Sequence, residues 1–214
     1  MATLSQADFE ANYLKTKLQS LSKIWDGKNC ILQMKNNNSS HWRQMEWIGF
    51  YGEYAIRKAL SNQTTIKLQG DTFGKVIFDL AGEINWDIKT HPNSSTSAIL
   101  NDCEATDLSI AKNTYHGLIV LCVDCQFDST GDFKEWHDQL KGGKSDYERK
   151  RVARGAPSRK RKVSAKLTDI KLILLDNINI KQLGRAQEGW RNSDGGARKS
   201  KYSITHSQLD LLSV

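Results

Sequence analysis

The chain has 214 residues, 38% of them hydrophobic and 26% charged, with six tryptophans and a net charge of +7. That length suits a single domain over 1–214 with a sizeable core, and the apolar content excludes an intrinsically disordered chain. No run approaches the ~18 apolar residues that a membrane helix needs, and Met1 to Glu10 lack the basic-then-apolar pattern of a secretion signal, so a cytoplasmic protein with no membrane partner is expected.

Ser5, with Asp8 three residues on, can cap a first helix, and Leu14, Leu18, Leu21 and Trp25 recur at helical spacing. This helix suits packing on the body or on a second copy of the chain. Residues 35–40 are rich in Asn and Ser and read as a loop. A second helix is predicted over 41–60, where Ile48, Gly52, Ala55 and Ala59 form a narrow stripe that lets a sheet approach closely. Glu53 falls on an apolar flank of that helix, beside Gly49, Ile56 and Leu60. Residues 64–90 read as successive strands, with 76–80 and 84–90 joined by the short turn Ala81-Gly82-Glu83. Next come a helix over 104–113, a buried strand over 117–127 and a short helix over 133–140. A basic helix over 145–154, an Arg/Lys-rich loop over 155–166 and an apolar strand over 170–175 follow. The tail 184–201 is rich in Gly, Arg and Asn, and a short apolar piece closes the chain at 209–212. Strands and helices mix throughout, so the class is α/β.

Cys122 and Cys125 form a C-x-x-C, but a three-residue offset on a strand points the thiols to opposite faces. Core cysteines in a reducing compartment are the expectation. Charge is uneven: residues 141–201 hold 18 Lys and Arg against 6 Asp and Glu, a local +12 that leaves −5 for the rest. A polyanion-binding region on a mildly acidic body points to nucleic acid as partner. Arg149, Arg151, Arg154, Arg159, Lys160, Arg161, Lys162 and Lys166 are the first candidates for DNA contact, and Arg191, Asn192 and Arg198 the second.

The chemistry concentrates in residues 76–90. Asp87 and Lys89 share one strand face, while Trp86 and Ile88 share the other. A turn centred on Glu83 sets Asp79 opposite Asp87, and like charges so placed call for a counter-charge. A divalent cation supplies it: Mg²⁺ takes one or two carboxylates plus waters and phosphate oxygens. Asp79, Asp87 and the Ile88 carbonyl form the expected ligand set, and Glu53 from the preceding helix could hold a second metal. Lys89 could orient an attacking water or offset charge on the phosphate. Asp71 and Glu83 compete with Asp79 as the first acid. His91, Asn93, Ser94, Ser95 and Thr96 follow the strand and are expected near the scissile phosphate. The five histidines are scattered, which disfavours a His-rich nuclease motif.

These residues resemble the PD-(D/E)XK nuclease superfamily, which includes most type II restriction endonucleases. Trp47 to Ala55, with Glu53, is similar to the superfamily's first core helix. Phe78-Asp79 stands where its Pro-Asp stands, and Asp87-Ile88-Lys89 matches its D/E-X-K tripeptide. The resemblance covers roughly residues 45–125, with a catalytic core over about 41–127 and the basic region over about 141–201. It implies a restriction-endonuclease-like core, a mixed β-sheet flanked by helices. It further implies Mg²⁺-dependent hydrolysis of double-stranded DNA, with Mn²⁺ as substitute, by a homodimer matched to a palindromic site. A structure-specific nuclease and a non-catalytic DNA-binding protein are the alternatives.

Overall fold

The structure, a computed structural model, describes residues 6–62, 66–68, 78–156, 160–191 and 196–214. In chain order the elements are α1 (Gln6–Leu18), β1 (Ile24–Asp26), α2 (Gly27–Asn36), a 3-10 turn (Ser40–Arg43), α3 (Trp47–Ala59), β2 (Lys67–Leu68), β3 (Leu80–Ala81), β4 (Asn85–Pro92) and β5 (Ser97–Asp102). They continue with α4 (Cys103–Asn113), β6 (His116–Phe127), α5 (Asp132–Leu140), α6 (Asp146–Ala153), β7 (Lys162–Leu175), a 3-10 turn (Asn179–Gln182), β8 (Gly184–Ala186), β9 (Lys201–Thr205) and α7 (His206–Leu212).

The main sheet runs β1-β7-β6-β4-β3-β2 and is mixed: β4 and β6 are parallel, and its other described neighbours antiparallel. A second sheet runs β5-β9-β8. Side chains alternate along each strand, so β4 and β6 divide the core in two. Trp86, Ile88, Ile119 and Leu121 join residues of α1, α2 and α3 in one cluster. Leu118, Val120 and Cys122 join residues of α4, the second sheet and α7 in the other. Asp87 and Lys89 have the parity of this second face. Cys122 and Cys125 fall on opposite sides of β6, each in or against a different cluster, and both are free thiols, as the strand reading required.

Close approach explains the small residues. A Cβ at Gly52 would strike Thr90 and Leu121, so the glycine lets α3 lie directly on β4 and β6. A Cβ at Gly117 would overlap the Trp86 ring on the neighbouring strand. Helix α1 spends its apolar face, Ala7, Ala11, Leu14 and Leu18, on the body of its own chain. Its buried Glu10 accepts hydrogen bonds from Trp86 Nε1 (2.6 Å) and the Glu83 backbone N–H (2.7 Å), clamping the turn between β3 and β4.

Several predicted elements are corrected. The first helix stops at Leu18, and Trp25 sits on β1 opposite Ala165, its indole N–H bonded to the Ser22 carbonyl. The helix α2, capped by the Asp26 side chain, had no counterpart in the sequence reading. The helix expected over 41–60 is broken at Gln44, whose backbone is extended, although no Pro or Gly marks the break. The basic loop expected over 155–166 is shorter, because β7 begins at Lys162. There Val163, Ala165 and Leu167 alternate with Lys162, Ser164 and Lys166, a strand period hidden by the density of charge. Of the strand expected over 76–80, residues 76 and 77 lie outside the described residues.

Candidate active site

β3 and β4 pair Leu80 with Trp86 and Ala81 with Asn85, the register of a turn centred on Glu83. One step further, Asp79 has left the strand. Its N–H still donates to the Trp86 carbonyl (3.0 Å), while its carboxylate Oδ2 accepts the N–H of Ile88 at 2.7 Å. The side chain thus takes the ladder position that a backbone carbonyl would hold. The N–H and C=O of one residue face the same side of a strand, so the Ile88 carbonyl is directed to the same edge.

Asp87 is 2% exposed. Its Oδ2 lies 3.0 Å from His116 Nε2, its Oδ1 lies 4.0 Å from Lys89 Nζ, and Asn101 of β5 adds a side-chain hydrogen bond. Burial pushes the Asp87 carboxyl up, but Lys89, His116 and Asn101 outweigh it and hold the group below the ordinary carboxylate range. Asp79 goes the other way. Burial lifts it, Lys89 and the Ile88 N–H oppose the lift, the charges of Glu53 and Asp87 add to it, and the group is pushed up to about 6. Two adjacent carboxylates driven in opposite directions beside one lysine mark a candidate reactive site.

Glu53 has a cation partner on its own helix. Helix α3 lies on the opposite face of the sheet from Asp87, and the Glu53 carboxylate is paired with Arg57 Nε at 2.9 Å. Arg57 also reaches the Asp79 carbonyl at 3.4 Å. Glu53 therefore acts on the site as a charge felt by Asp79, and among the described residues no three carboxylate, imidazole or thiolate side chains converge as a metal-binding group. Glu83 is exposed in the turn above Glu10, away from the pair, and Asp71 lies outside the described residues.

The residues after β4 are only partly as expected. His91 is buried against the His206 ring (centroids 4.8 Å apart) rather than projecting toward a ligand. Asn93 bonds Asp124 (2.8 Å) and Thr168 (3.0 Å), whereas Ser94 and Thr96 are exposed and Ser95 half-buried in the turn.

The basic candidates divide. Arg149, Arg154, Lys160 and Lys166 are exposed, Arg149 being tied to Asp146 and to the Lys144 carbonyl. Arg151 is half-buried 4.0 Å from Glu148, and Lys162 turns to Glu46 at 2.5 Å. Arg161 is 4% exposed rather than on the surface; it lines a cavity with Arg43, Lys141 and Arg149 and feels the charges of Asp138, Glu148 and Glu46. Arg191 and Arg198 are exposed in the tail, while Arg159 and Asn192 lie outside the described residues.

Sequence reasoning missed three residues at this site. His116 and Asn101 hold Asp87. Lys201, at the start of β9, is half-buried; burial lowers its ammonium, as does the charge of Lys89, with Asp102 and Asp87 opposing and Arg198 adding. The tail thereby brings Lys201 toward the Asp87 face, with Arg198 near Lys201. A signal for His116 existed, since a parallel strand beside β4 puts the first residue of β6 on the Asp87 face; the pairing partner was the missing piece. Nothing in the tail's sequence announces Lys201. No helix among the described residues is long and apolar enough to cross a membrane. No protein-family model, curated protein or solved structure matches this chain.

Proposed function

We propose that the chain is a metal-dependent endodeoxyribonuclease, a type II restriction endonuclease with a restriction-endonuclease-like core, working as a homodimer on double-stranded DNA. One observation carries the reading: Asp79 and Asp87 meet at the edge where β3 leaves β4, with Lys89 beside Asp87. The reading is supported by the order α3, β3–β4, β5, α4 and β6, since the resemblance expects a helix and a central strand after the hairpin.

The donor set fits a hard divalent cation. Asp79 and Asp87 supply two carboxylates and Ile88 a carbonyl, which is the protein share that Mg²⁺, or Mn²⁺ in its place, takes when waters and substrate complete the octahedron. Burial raises Asp79 most, and the charges of Glu53 and Asp87 add to the rise, so a cation bound there would relieve both. When bound, the cation neutralises charge on the scissile phosphate. The chain does the rest. Asp87, kept ionised, holds its face of the site; Asp79 closes the edge. Lys89 donates toward the attacking water or the phosphate and offsets charge as the bond breaks. Lys201 adds a cation on the same face, with Arg198 near it, and the two retain the DNA backbone.

The test is Mg²⁺-dependent digestion of phage DNA followed by sequencing of the ends. Discrete bands with one common terminal sequence support the reading. Cleavage confined to branched substrates replaces it with a structure-specific nuclease, and binding without cleavage in Mg²⁺ or Mn²⁺ with a DNA-binding protein.

A further inference from the structure

His116 lies on the first residue of β6, fully buried, with its ring 5.3 Å from that of Phe78. Both ring nitrogens are engaged. Nε2 is 3.0 Å from Asp87 Oδ2, and Nδ1 is 3.3 Å from Ser109 Oγ on α4. Ser109 in turn accepts from Asn85 Nδ2 at 3.1 Å. The Asp87 carboxylate has no proton to give, so His116 Nε2 donates to its Oδ2, while Asn85 donates to the Ser109 oxygen, which also bonds His116 Nδ1. Asn85 and Asp87 stand two residues apart on the same face of β4, so the chain leaves that strand, passes through α4 and β6, and returns to it.

The consequence falls on Asp87. A buried carboxylate has two oxygens and several orientations. Here Oδ2 is committed to His116, Oδ1 lies 4.0 Å from Lys89, and Asn101 adds a further hydrogen bond to the carboxylate. We infer that His116 is a positioning residue, which spends one Asp87 oxygen on the protein so that the other is presented to the divalent cation in a single orientation. The inference rests on the metal-dependent reading of the same site. It goes beyond that reading in assigning the presented oxygen and the Asn85–Ser109–His116 chain that fixes it. Partners of ligand side chains commonly govern metal affinity by about 10–100-fold.

The experiment is calorimetric titration of the intact protein with Mn²⁺, alongside the Mg²⁺ concentration giving half-maximal plasmid cleavage. Three variants are compared with wild type: His116→Leu, which keeps bulk and removes the donor; His116→Gln, which restores a donor at the Nε2 position; and Ser109→Ala, which breaks the far end without altering the ring. The inference expects Mn²⁺ binding weakened about 10-fold or more in H116L and by a smaller factor in S109A, with H116Q within about threefold of wild type. The Mg²⁺ half-point should move in the same order. If H116L does not fold, H116Q and S109A carry the comparison, and equal Mn²⁺ affinity of S109A and wild type then overturns the inference. Folded H116L that binds Mn²⁺ as wild type does also overturns it, leaving the nuclease reading intact. Wild type that neither binds Mn²⁺ nor cleaves overturns both.

Discussion

The carboxylate of Asp79 accepts the backbone N–H of Ile88 at 2.7 Å, one residue beyond the last ladder pair of β3 and β4. A side chain substitutes there for main chain, and the price is a carboxylate pushed up to about 6 by burial and by the charges of Glu53 and Asp87. Asparagine keeps the acceptor for Ile88 and removes the charge. Asp79→Asn should therefore raise stability near pH 8 by about 1–3 kcal/mol while lowering Mg²⁺-dependent cleavage about 100-fold or more. Thermal melts and plasmid nicking of the same preparation check both halves; a destabilised variant contradicts the electrostatic account.

Gly117 has no room for a side chain, because Trp86 lies where its Cβ would be. Both strands are central, so neither can yield without disturbing the ladder that carries Asp87. Gly117→Ala should cost about 1–3 kcal/mol or more by overpacking. Denaturant unfolding measures it, and a neutral result would show that β4 and β6 are farther apart than described.

His137 provides the pH test of stability. Its Nε2 donates to the Trp42 carbonyl at 2.9 Å, tying α5 to the turn before α3. Burial holds the imidazole down to about 4, with Lys141 and Arg161 acting in the same direction and the Trp42 bond and Asp138 opposing. An unfolded histidine takes a proton near pH 6.5. The unfolded state therefore binds the proton first, and stability, fully present above that pH, is lost as the pH falls toward 4. The loss amounts to about 3 kcal/mol. His137→Gln keeps a donor for Trp42 and does not titrate, so its melting temperature should fall less steeply across this range. Asp79, which responds in the opposite sense, is common to both proteins and cancels in the difference.

Arg161 and Arg198 should behave as opposites. Arg161 is buried, but Asp138, Glu148 and Glu46 keep Lys141, Lys134 and Lys162 as partners, so Arg161→Ala loses packing and a shared charge and should cost about 1–3 kcal/mol. Arg198→Ala should leave stability unchanged and weaken DNA binding, with the slope of log affinity against log salt reduced by about one. Melts and fluorescence anisotropy over a salt series separate the two; equal effects on binding would return Arg161 to the DNA interface.

The hairpin was legible because an apolar run and the alternating strand from Ile84 to Thr90 flank a turn with glycine, and that alternation buries Ile84 and Trp86 together. The cysteines were legible for the same reason. Arg161 was not: it is buried near acids at 46, 138 and 148, which only the fold brings together. His116 needed the parallel pairing of β6 with β4, a long-range fact that no local pattern encodes. The sheet of β5, β9 and β8 has strands too short and polar to stand out, and with it Asn101 and Lys201 went unread. Glu53 was placed on the right helix and an apolar flank, but the nearby Arg57, four residues on, claims its carboxylate.

The central claim is that the edge formed by Asp79, Asp87 and Lys89 hydrolyses DNA with a divalent cation. The most direct measurement is cleavage of supercoiled plasmid by wild type, Asp87→Asn and Lys89→Ala, each shown to be folded, with Mg²⁺ and with EDTA. The account predicts linear product from wild type in Mg²⁺ alone, and a rate at least about 100-fold lower in each variant. Cleavage by Lys89→Ala at the wild-type rate, or wild-type cleavage that persists in EDTA, would contradict it.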